Sequence, residues 1–138
     1  MRPSKLTKKL LYPTLALLAI SGMTWIVGHY FMVIEGEFGQ EKHPLEIWSL
    51  RLHGLAGFIT LLWIGMLVEH HILSHFKQKR RLWTGLSLTL LSAWLAFSGY
   101  MLYYLSEDDW RLVFSLGHWI SGIVAVALFW MHLILKKH

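Results

Sequence analysis

Cysteine is absent from this 138-residue chain, and charged residues make up only 15% of it. Without cysteine the chain cannot hold an iron–sulfur cluster or a haem iron through thiolates, and it cannot attach a c-type haem covalently. It also has no glycine-rich phosphate-binding loop and no nucleophile-elbow motif. Because 55% of the residues are hydrophobic, the composition excludes an ordinary soluble domain.

Four long apolar stretches account for most of the chain. They lie at about residues 10–34, 47–71, 82–105 and 110–135. Each exceeds the roughly 20 residues that an α-helix needs to cross a hydrocarbon core of ~30 Å. We therefore predict an all-α integral membrane protein, a four-helix bundle that forms one domain over residues 1–138. The first stretch follows a basic segment, as in a signal peptide, but its length predicts a retained helix.

Basic and acidic residues alternate between the ends of the predicted helices. Lysine and arginine cluster before the first helix, between the second and third, and after the fourth, whereas the other two connections are acidic. By the positive-inside rule, both termini and the second connection are expected to be cytoplasmic. The formal net charge of +5 then follows from membrane topology, and no nucleic-acid partner is expected.

Four histidines on the second and fourth predicted helices form two same-face pairs. His53 and His71 are 18 residues apart, which is five whole turns. His118 and His132 are 14 residues apart, within about 40° of whole turns. The two helices run in the same direction, so His53 and His118 are expected in the outer half of the membrane and the other two toward the inner side. Ionisable side chains are costly in lipid, which indicates a functional role.

A glycine follows each outer histidine by one helical turn, at Gly57 and Gly122. Removing a side chain there makes room for a flat macrocycle against the helix. The two helices also match at a constant offset of 65, and the matching residues are His53, Gly57 and Met66 against His118, Gly122 and Met131. The pattern predicts two haem groups, an outer one held by His53 and His118 and an inner one held by His71 and His132.

Three alternatives stay open for these residues. Histidine in a membrane helix also serves as a hydrogen-bonding packing residue, and glycine at four-residue spacing is typical of close helix packing. If His53 and His118 lay at the same depth, His71 and His132 would differ by ~6 Å along the helix axes. A single haem is therefore the alternative to two. His70 or His75 can replace His71 as the inner ligand.

Three short motifs resemble those of small bacterial four-helix di-haem b-type cytochromes. They are RLHGLAGF at residues 51–58, EHHILSH at 69–75, and GHWISG at 117–122 with a later Met-His at 131–132. The cytochrome b membrane subunits of formate dehydrogenases and nickel–iron hydrogenases carry a similar last helix. The resemblance covers nearly the whole chain and implies bis-histidine haem b, transmembrane electron transfer and exchange with the quinone pool. In the dehydrogenase-type subunits one inner ligand comes from the first helix, whose inner half has no histidine here.

The resemblance implies an electron-carrier subunit of a larger oxidoreductase complex in the bacterial inner (cytoplasmic) membrane, and not an enzyme by itself. The expected partners are membrane lipid, quinone or quinol, and extracytoplasmic or membrane redox subunits. Arg51 flanks the outer site and is expected either to bind a haem propionate or to anchor its helix at the interface. The rival interpretations are a redox-inert structural or assembly subunit and a small histidine-lined transporter, which haem content and metal-dependent flux would distinguish.

Overall fold

The computed structural model describes residues 5–37, 39–67 and 82–135. Within these residues there are four α-helices and one pair of short β-strands. In chain order they are α1 (Lys5–Phe31), β1 (Val33–Gly36), β2 (Gly39–Lys42), α2 (Pro44–Leu67), α3 (Leu82–Tyr104) and α4 (Asp108–Leu135). The prediction of an all-α protein with four long helices is confirmed.

All four helices are long and apolar enough to cross a membrane. The candidate spans are Thr7–Phe31, Pro44–Leu67, Gly85–Tyr104 and Asp108–Ile134. Large apolar side chains such as Phe58, Tyr103 and Trp130 are exposed, whereas Ala56 is the single buried hydrophobic residue among the described positions. Lipid tails are as apolar as leucine, so such a surface is stable in a bilayer. The chain is therefore a multi-pass membrane protein.

The first hairpin consists of α1 and α2, which pack antiparallel. The buried residues of α2 are Glu46, Ser49, Ala56 and Thr60, and they lie with His53 on one face at spacings of three and four residues. Most of them are small, which lets the two helix backbones approach closely. The resulting interior is polar, because Ser21 of α1 is also buried there.

The link between α1 and α2 is a β-hairpin, which the sequence did not predict. Its strands are antiparallel, with Val33 paired to Lys42 and Gly36 paired to Gly39. Gly39 has a φ of +115°, which is favourable only for glycine. The prediction that the first helix runs to residue 34 is wrong, because α1 ends at Phe31 and the β-branched pair Val33 and Ile34 forms β1.

The second hairpin consists of α3 and α4, joined by the three residues 105–107. Two backbone hydrogen bonds continue the helical pattern into this link, from Leu105 N to Met101 O and from Arg111 N to Glu107 O, both at 2.9 Å. Asp108 and Asp109 occupy the first turn of α4, where carboxylates complement the helix dipole. The start of α4 is thus two residues before the predicted position.

The chain divides into two compact units, Met1–Val68 and Glu69–His138. The first hairpin belongs to one unit and the second hairpin to the other. Each unit holds one of the two predicted outer histidines, His53 on α2 and His118 on α4.

Candidate functional site

His53 is held against α1 by its Nδ1 atom. This nitrogen lies 3.0 Å from the carbonyl oxygen of Leu18 and 3.2 Å from the hydroxyl oxygen of Ser21. A carbonyl oxygen can only accept, so the proton of the neutral ring is on Nδ1. The hydroxyl of Ser21 also donates to the Leu18 carbonyl, at 3.1 Å. The lone pair of the His53 imidazole is therefore on Nε2, the ring nitrogen suited to bind a metal.

His118 has a corresponding arrangement with α3. Its Nδ1 atom lies 2.8 Å from the hydroxyl oxygen of Ser98, and this hydroxyl donates to the carbonyl oxygen of Leu95 at 3.3 Å. A hydroxyl can donate or accept, so this contact is compatible with a proton on either nitrogen of the His118 ring.

The two arrangements arise from an internal repeat that the constant offset of 65 does not reveal. Residues 16–22 of α1 and 93–99 of α3 share the pattern A-x-L-A-x-S-G, with five of seven positions identical at an offset of 77. In sequence, 32 residues separate Ser21 from His53, and 20 separate Ser98 from His118. The link between the helices has 12 residues in the first hairpin (32–43) and three in the second (105–107), which accounts for nine of the 12, and among the described residues only the first link contains a β-hairpin. Each unit is thus a version of the same helical hairpin.

Glycine at the end of the repeated pattern makes the close approach of each histidine feasible. A Cβ atom at Gly22 would lie 3.0 Å from Cε1 of His53, and one at Gly99 would lie 3.3 Å from Cε1 of His118. These distances are shorter than ordinary van der Waals contacts. Sequence reasoning missed both glycines and both serines, although the A-x-L-A-x-S-G pattern could have revealed them.

Gly57 and Gly122, the glycines predicted to make room for a macrocycle, also occupy equivalent positions in the two hairpins. A Cβ atom at Gly57 would lie 3.8 Å from Cδ1 of Leu18, and one at Gly122 would lie 3.9 Å from Cδ2 of Leu95. Both are ordinary contacts with the other helix of the same hairpin. The missing side chains would therefore point across each hairpin, and the role of these glycines in making room for a macrocycle stays a prediction.

The second hairpin carries two indole groups near its histidine. Trp94 donates from Nε1 to the hydroxyl of Ser121 at 3.0 Å, whereas the equivalent positions in the first hairpin are the apolar Leu17 and Ala56. Trp119 directly follows His118, and its buried Nε1 has no hydrogen-bond partner among the described residues. A buried N–H without an acceptor is costly, so this donor is suited to a polar group from outside the described residues.

The remaining predicted site residues are only partly described. His132 is half-buried on α4, whereas His70, His71 and His75 lie outside the described residues. Arg51 is exposed on α2, with its guanidinium carbon 5.1 Å from the centre of the Trp48 ring. This cation–π contact agrees with anchoring at the membrane interface, and propionate binding by Arg51 stays a prediction.

A second polar cluster joins the two helices at the β-hairpin end of the first unit. Oε1 of Glu46 lies 2.9 Å from Nδ1 of His29 and 3.3 Å from Nζ of Lys42. The ring of Trp25 stacks on His29 at a centroid distance of 4.7 Å. Only 8% of Glu46 is exposed, so its hydrogen bonds replace most of the lost hydration. His29 is thus occupied by a structural contact.

No family model, curated protein or solved structure matched the chain in the comparisons with known proteins. Among the residues that the structure describes, no three His, Asp or Glu side chains come close enough to hold a metal ion. Bis-histidine haem ligation does not need such a cluster, because the macrocycle supplies four of the six ligands of iron. Two imidazoles whose Nδ1 atoms are hydrogen-bonded to the neighbouring helix fit this role.

Proposed function

We propose that the protein is a membrane cytochrome that transfers electrons across the bilayer through two bis-histidine b haems. His53 and His118 are the axial ligands of one haem, and His71 and His132 are those of the other. The observation that carries the proposal is the repeated arrangement around His53 and His118, in which a serine of the neighbouring helix lies within hydrogen-bond distance of Nδ1 and also donates to a backbone carbonyl of its own helix. A haem iron needs one imidazole on each face, and a repeated hairpin supplies the same ligand twice.

The donor set favours haem over a metal ion bound directly by protein. Structural and catalytic zinc sites use at least three protein ligands, and di-iron sites in helix bundles add carboxylates to histidine. Glu46 is the one buried carboxylate among the described residues, and its partners are His29 and Lys42. His53 and His118 instead have hydroxyl and carbonyl neighbours, which orient an imidazole without competing for the metal.

The haem, when bound, supplies one-electron exchange, and the protein determines which reaction follows. Imidazole on both faces leaves no open iron position, which favours electron transfer over oxygen chemistry. Quinone or quinol in the membrane is the proposed small redox partner, and extracytoplasmic or membrane redox subunits are the proposed protein partners. The proposed electron transfer agrees with the resemblance to small bacterial di-haem cytochromes. The proposal includes a location in the bacterial inner membrane with both termini cytoplasmic.

The test is the haem content of the purified full-length protein, measured by the pyridine haemochrome assay together with the dithionite-reduced spectrum. We expect two b haems per chain, and one fewer in the His118→Ala variant. His43→Asn is the matched control, because His43 accepts from Leu45 N at the start of α2 and asparagine retains that capping interaction. The control should keep both haems.

A redox-inert structural subunit is the second candidate. The Nδ1 hydrogen bonds of His53 and His118 also join helices within each hairpin, which is the ordinary use of a polar residue in a membrane helix. In that case the protein contains no haem even when it is expressed with ample haem, and His118→Ala changes stability without changing the spectrum.

A further inference from the structure

The contact with Glu46 occupies only one nitrogen of His29. The Lys42 ammonium can only donate, so Oε1 of Glu46 accepts from Lys42 and, in the same way, from Nδ1 of His29. A neutral His29 therefore has its lone pair on Nε2, which has no hydrogen-bond partner among the described residues. This nitrogen is also accessible, because Nε1 of Trp119 is the one buried side-chain nitrogen or oxygen without a partner in the described part of the chain. His29 thus presents an accessible base whose other nitrogen is held by a carboxylate.

The internal repeat indicates that a helical hairpin does not need this pair. At the two offsets of the repeat, Ser106 corresponds to His29 and Arg111 corresponds to Glu46. Arg111 is exposed, and its guanidinium donates to the carbonyl oxygen of Leu105 at 3.5 Å. The second hairpin therefore joins its helices without an imidazole and a carboxylate at these positions. The pair belongs to the first hairpin alone, which indicates a role beyond joining two helices.

The pair lies where a membrane span meets water. His29 is two residues from the end of the candidate span Thr7–Phe31, and 32% of its side chain is exposed. Glu46 is in the first turn of α2, on the same face as the proposed haem ligand His53 and ~10.5 Å from it along the helix axis. A ligand dissolved in the bilayer can reach this level, and a proton released there can leave to water.

We propose that His29 and Glu46 form the site at which a membrane-soluble hydroquinone binds and gives up a proton. One hydroxyl of the hydroquinone donates to Nε2 of His29. The ring of Trp25, which stacks on the imidazole at an interplanar angle of 19°, and the hydrogen bond to Glu46 hold the imidazole in place. The inference rests on the proposed function, because the electrons of the hydroquinone need haem iron as their acceptor.

The oxidation balances with these groups. A hydroquinone that becomes a quinone loses two electrons and two protons, and both of its O–H bonds break. One electron passes to each of two ferric haem irons, which leaves both ferrous. One proton passes to Nε2 of His29 and the other to water, and the carboxylate of Glu46 stabilises the imidazolium that forms. His29 becomes neutral again when this proton moves from Nε2 to water.

Binding is tested on the purified full-length protein reduced with dithionite, in which no ferric iron is left to oxidise the ligand. Tetramethylhydroquinone is added and the ring nitrogens of His29 are followed by ¹⁵N NMR, with His29→Asn or His29→Gln to assign the signals. We expect the lone pair on Nε2 before the addition, and a shift of the Nε2 signal after it. The dimethyl ether of tetramethylhydroquinone is the control. It has the same ring without hydroxyl protons, so it should cause no shift.

Proton transfer is tested by the rate at which tetramethylhydroquinone reduces the oxidised protein, followed by anaerobic stopped-flow absorbance. A positioned proton acceptor contributes about 10²–10⁴-fold to a rate, so His29→Asn should be slower by at least about 100-fold. Asparagine retains a donor for Glu46 but has no basic nitrogen, so the thermal stability of the variant should equal that of the parent. His43→Asn is the matched control and should keep the parent's rate, since Nδ1 of His43 accepts from Leu45 N. Dithionite needs no proton acceptor and should reduce all three proteins equally fast.

The binding site is wrong if the hydroquinone shifts the Nε2 signal of the parent no more than its dimethyl ether does. A folded His29→Asn variant that reacts with the hydroquinone at the parent's rate would overturn the role as proton acceptor. Equal slowing with dithionite would overturn it too, because the damage would then be at the haem. His29→Gln replaces His29→Asn if circular dichroism and gel filtration show that the latter is unfolded.

The failure of the proposed function has a different signature. If the parent protein binds no haem, the proposed function fails, and the transfer of electrons from this site fails with it. The NMR comparison of the hydroquinone and its dimethyl ether then still decides whether His29 binds a hydroquinone hydroxyl.

Discussion

Gly22 lies so close to His53 that a Cβ atom there would be 3.0 Å from the imidazole Cε1 and 3.2 Å from Nδ1. The contact places a proposed haem ligand directly on the backbone of α1. It also explains why the repeated pattern of α1 and α3 ends in glycine. Any larger residue must displace the ring, the helix or both.

Gly22→Ala should therefore weaken haem binding by at least tenfold, because the added methyl group moves His53 away from the carbonyl of Leu18. The measurement is a haem titration of the purified variant, followed by absorbance. Gly65→Ala is the control, since a methyl group there would meet nothing within 4 Å. If Gly22→Ala binds haem as the parent does, the close contact between His53 and the backbone of α1 does not position a haem ligand.

A third variant, Gly57→Ala, tests whether the missing side chain at Gly57 makes room for a macrocycle. A larger loss of haem in Gly57→Ala than in Gly22→Ala would mean that a macrocycle occupies the space beside Gly57. Equal binding by Gly57→Ala and the parent would leave Gly57 with its packing role alone. The two outcomes concern Gly57 only and do not affect the role of His53.

The membrane helices were predictable because hydropathy depends only on composition and length. The end of α1 was not predictable, because Val33 and Ile34 continue the apolar run of the helix. A hydropathy pattern does not distinguish a helix from a strand in such a short apolar segment. Only the glycines at 36 and 39 indicate a turn. Helix–strand boundaries in apolar segments depend on such local signals, which are weak.

The partners of the histidines were not predictable by comparing α2 with α4 alone. The offset of 65 aligns His53 with His118, but the 12 additional residues between Ser21 and His53 change the offset between α1 and α3 to 77. Ser21 and Ser98 therefore do not appear in a search at one constant offset. Their contacts also depend on the relative position of two helices within a hairpin, which the histidine spacing does not determine.

Glu46→Gln should destabilise the first hairpin by about 1–3 kcal/mol, the range for loss of a buried charge-assisted hydrogen bond. Glu46 joins the last turn of α1 to the first turn of α2 through His29 and also binds Lys42. The measurement is thermal unfolding in detergent. Glu37→Gln is the control, because Glu37 is exposed; equal loss of stability in both variants would contradict a role for the buried contact.

Replacement of residues 33–42 by a three-residue link should leave both histidine arrangements intact. The second hairpin joins its helices through residues 105–107 alone, so the β-hairpin is an insertion in the repeat and not a requirement of the helical hairpin. We expect the variant to keep its helical content and haem content. Loss of haem from this variant, with Glu46 and His29 unchanged, would show that the β-hairpin positions His53.

Trp119→Phe tests whether the indole N–H beside His118 is used by a bound group. The haem-free variant should be more stable than the parent by about 1 kcal/mol, since the substitution removes a buried donor that has no partner among the described residues. The haem-loaded variant should lose this advantage if a haem propionate or another polar group accepts from Nε1. Thermal unfolding of both forms supplies the comparison, and Trp94→Phe, which breaks the hydrogen bond to Ser121, should be destabilising in both. A gain in stability for Trp119→Phe that is equal with and without haem would mean that the indole N–H has no ligand to bind.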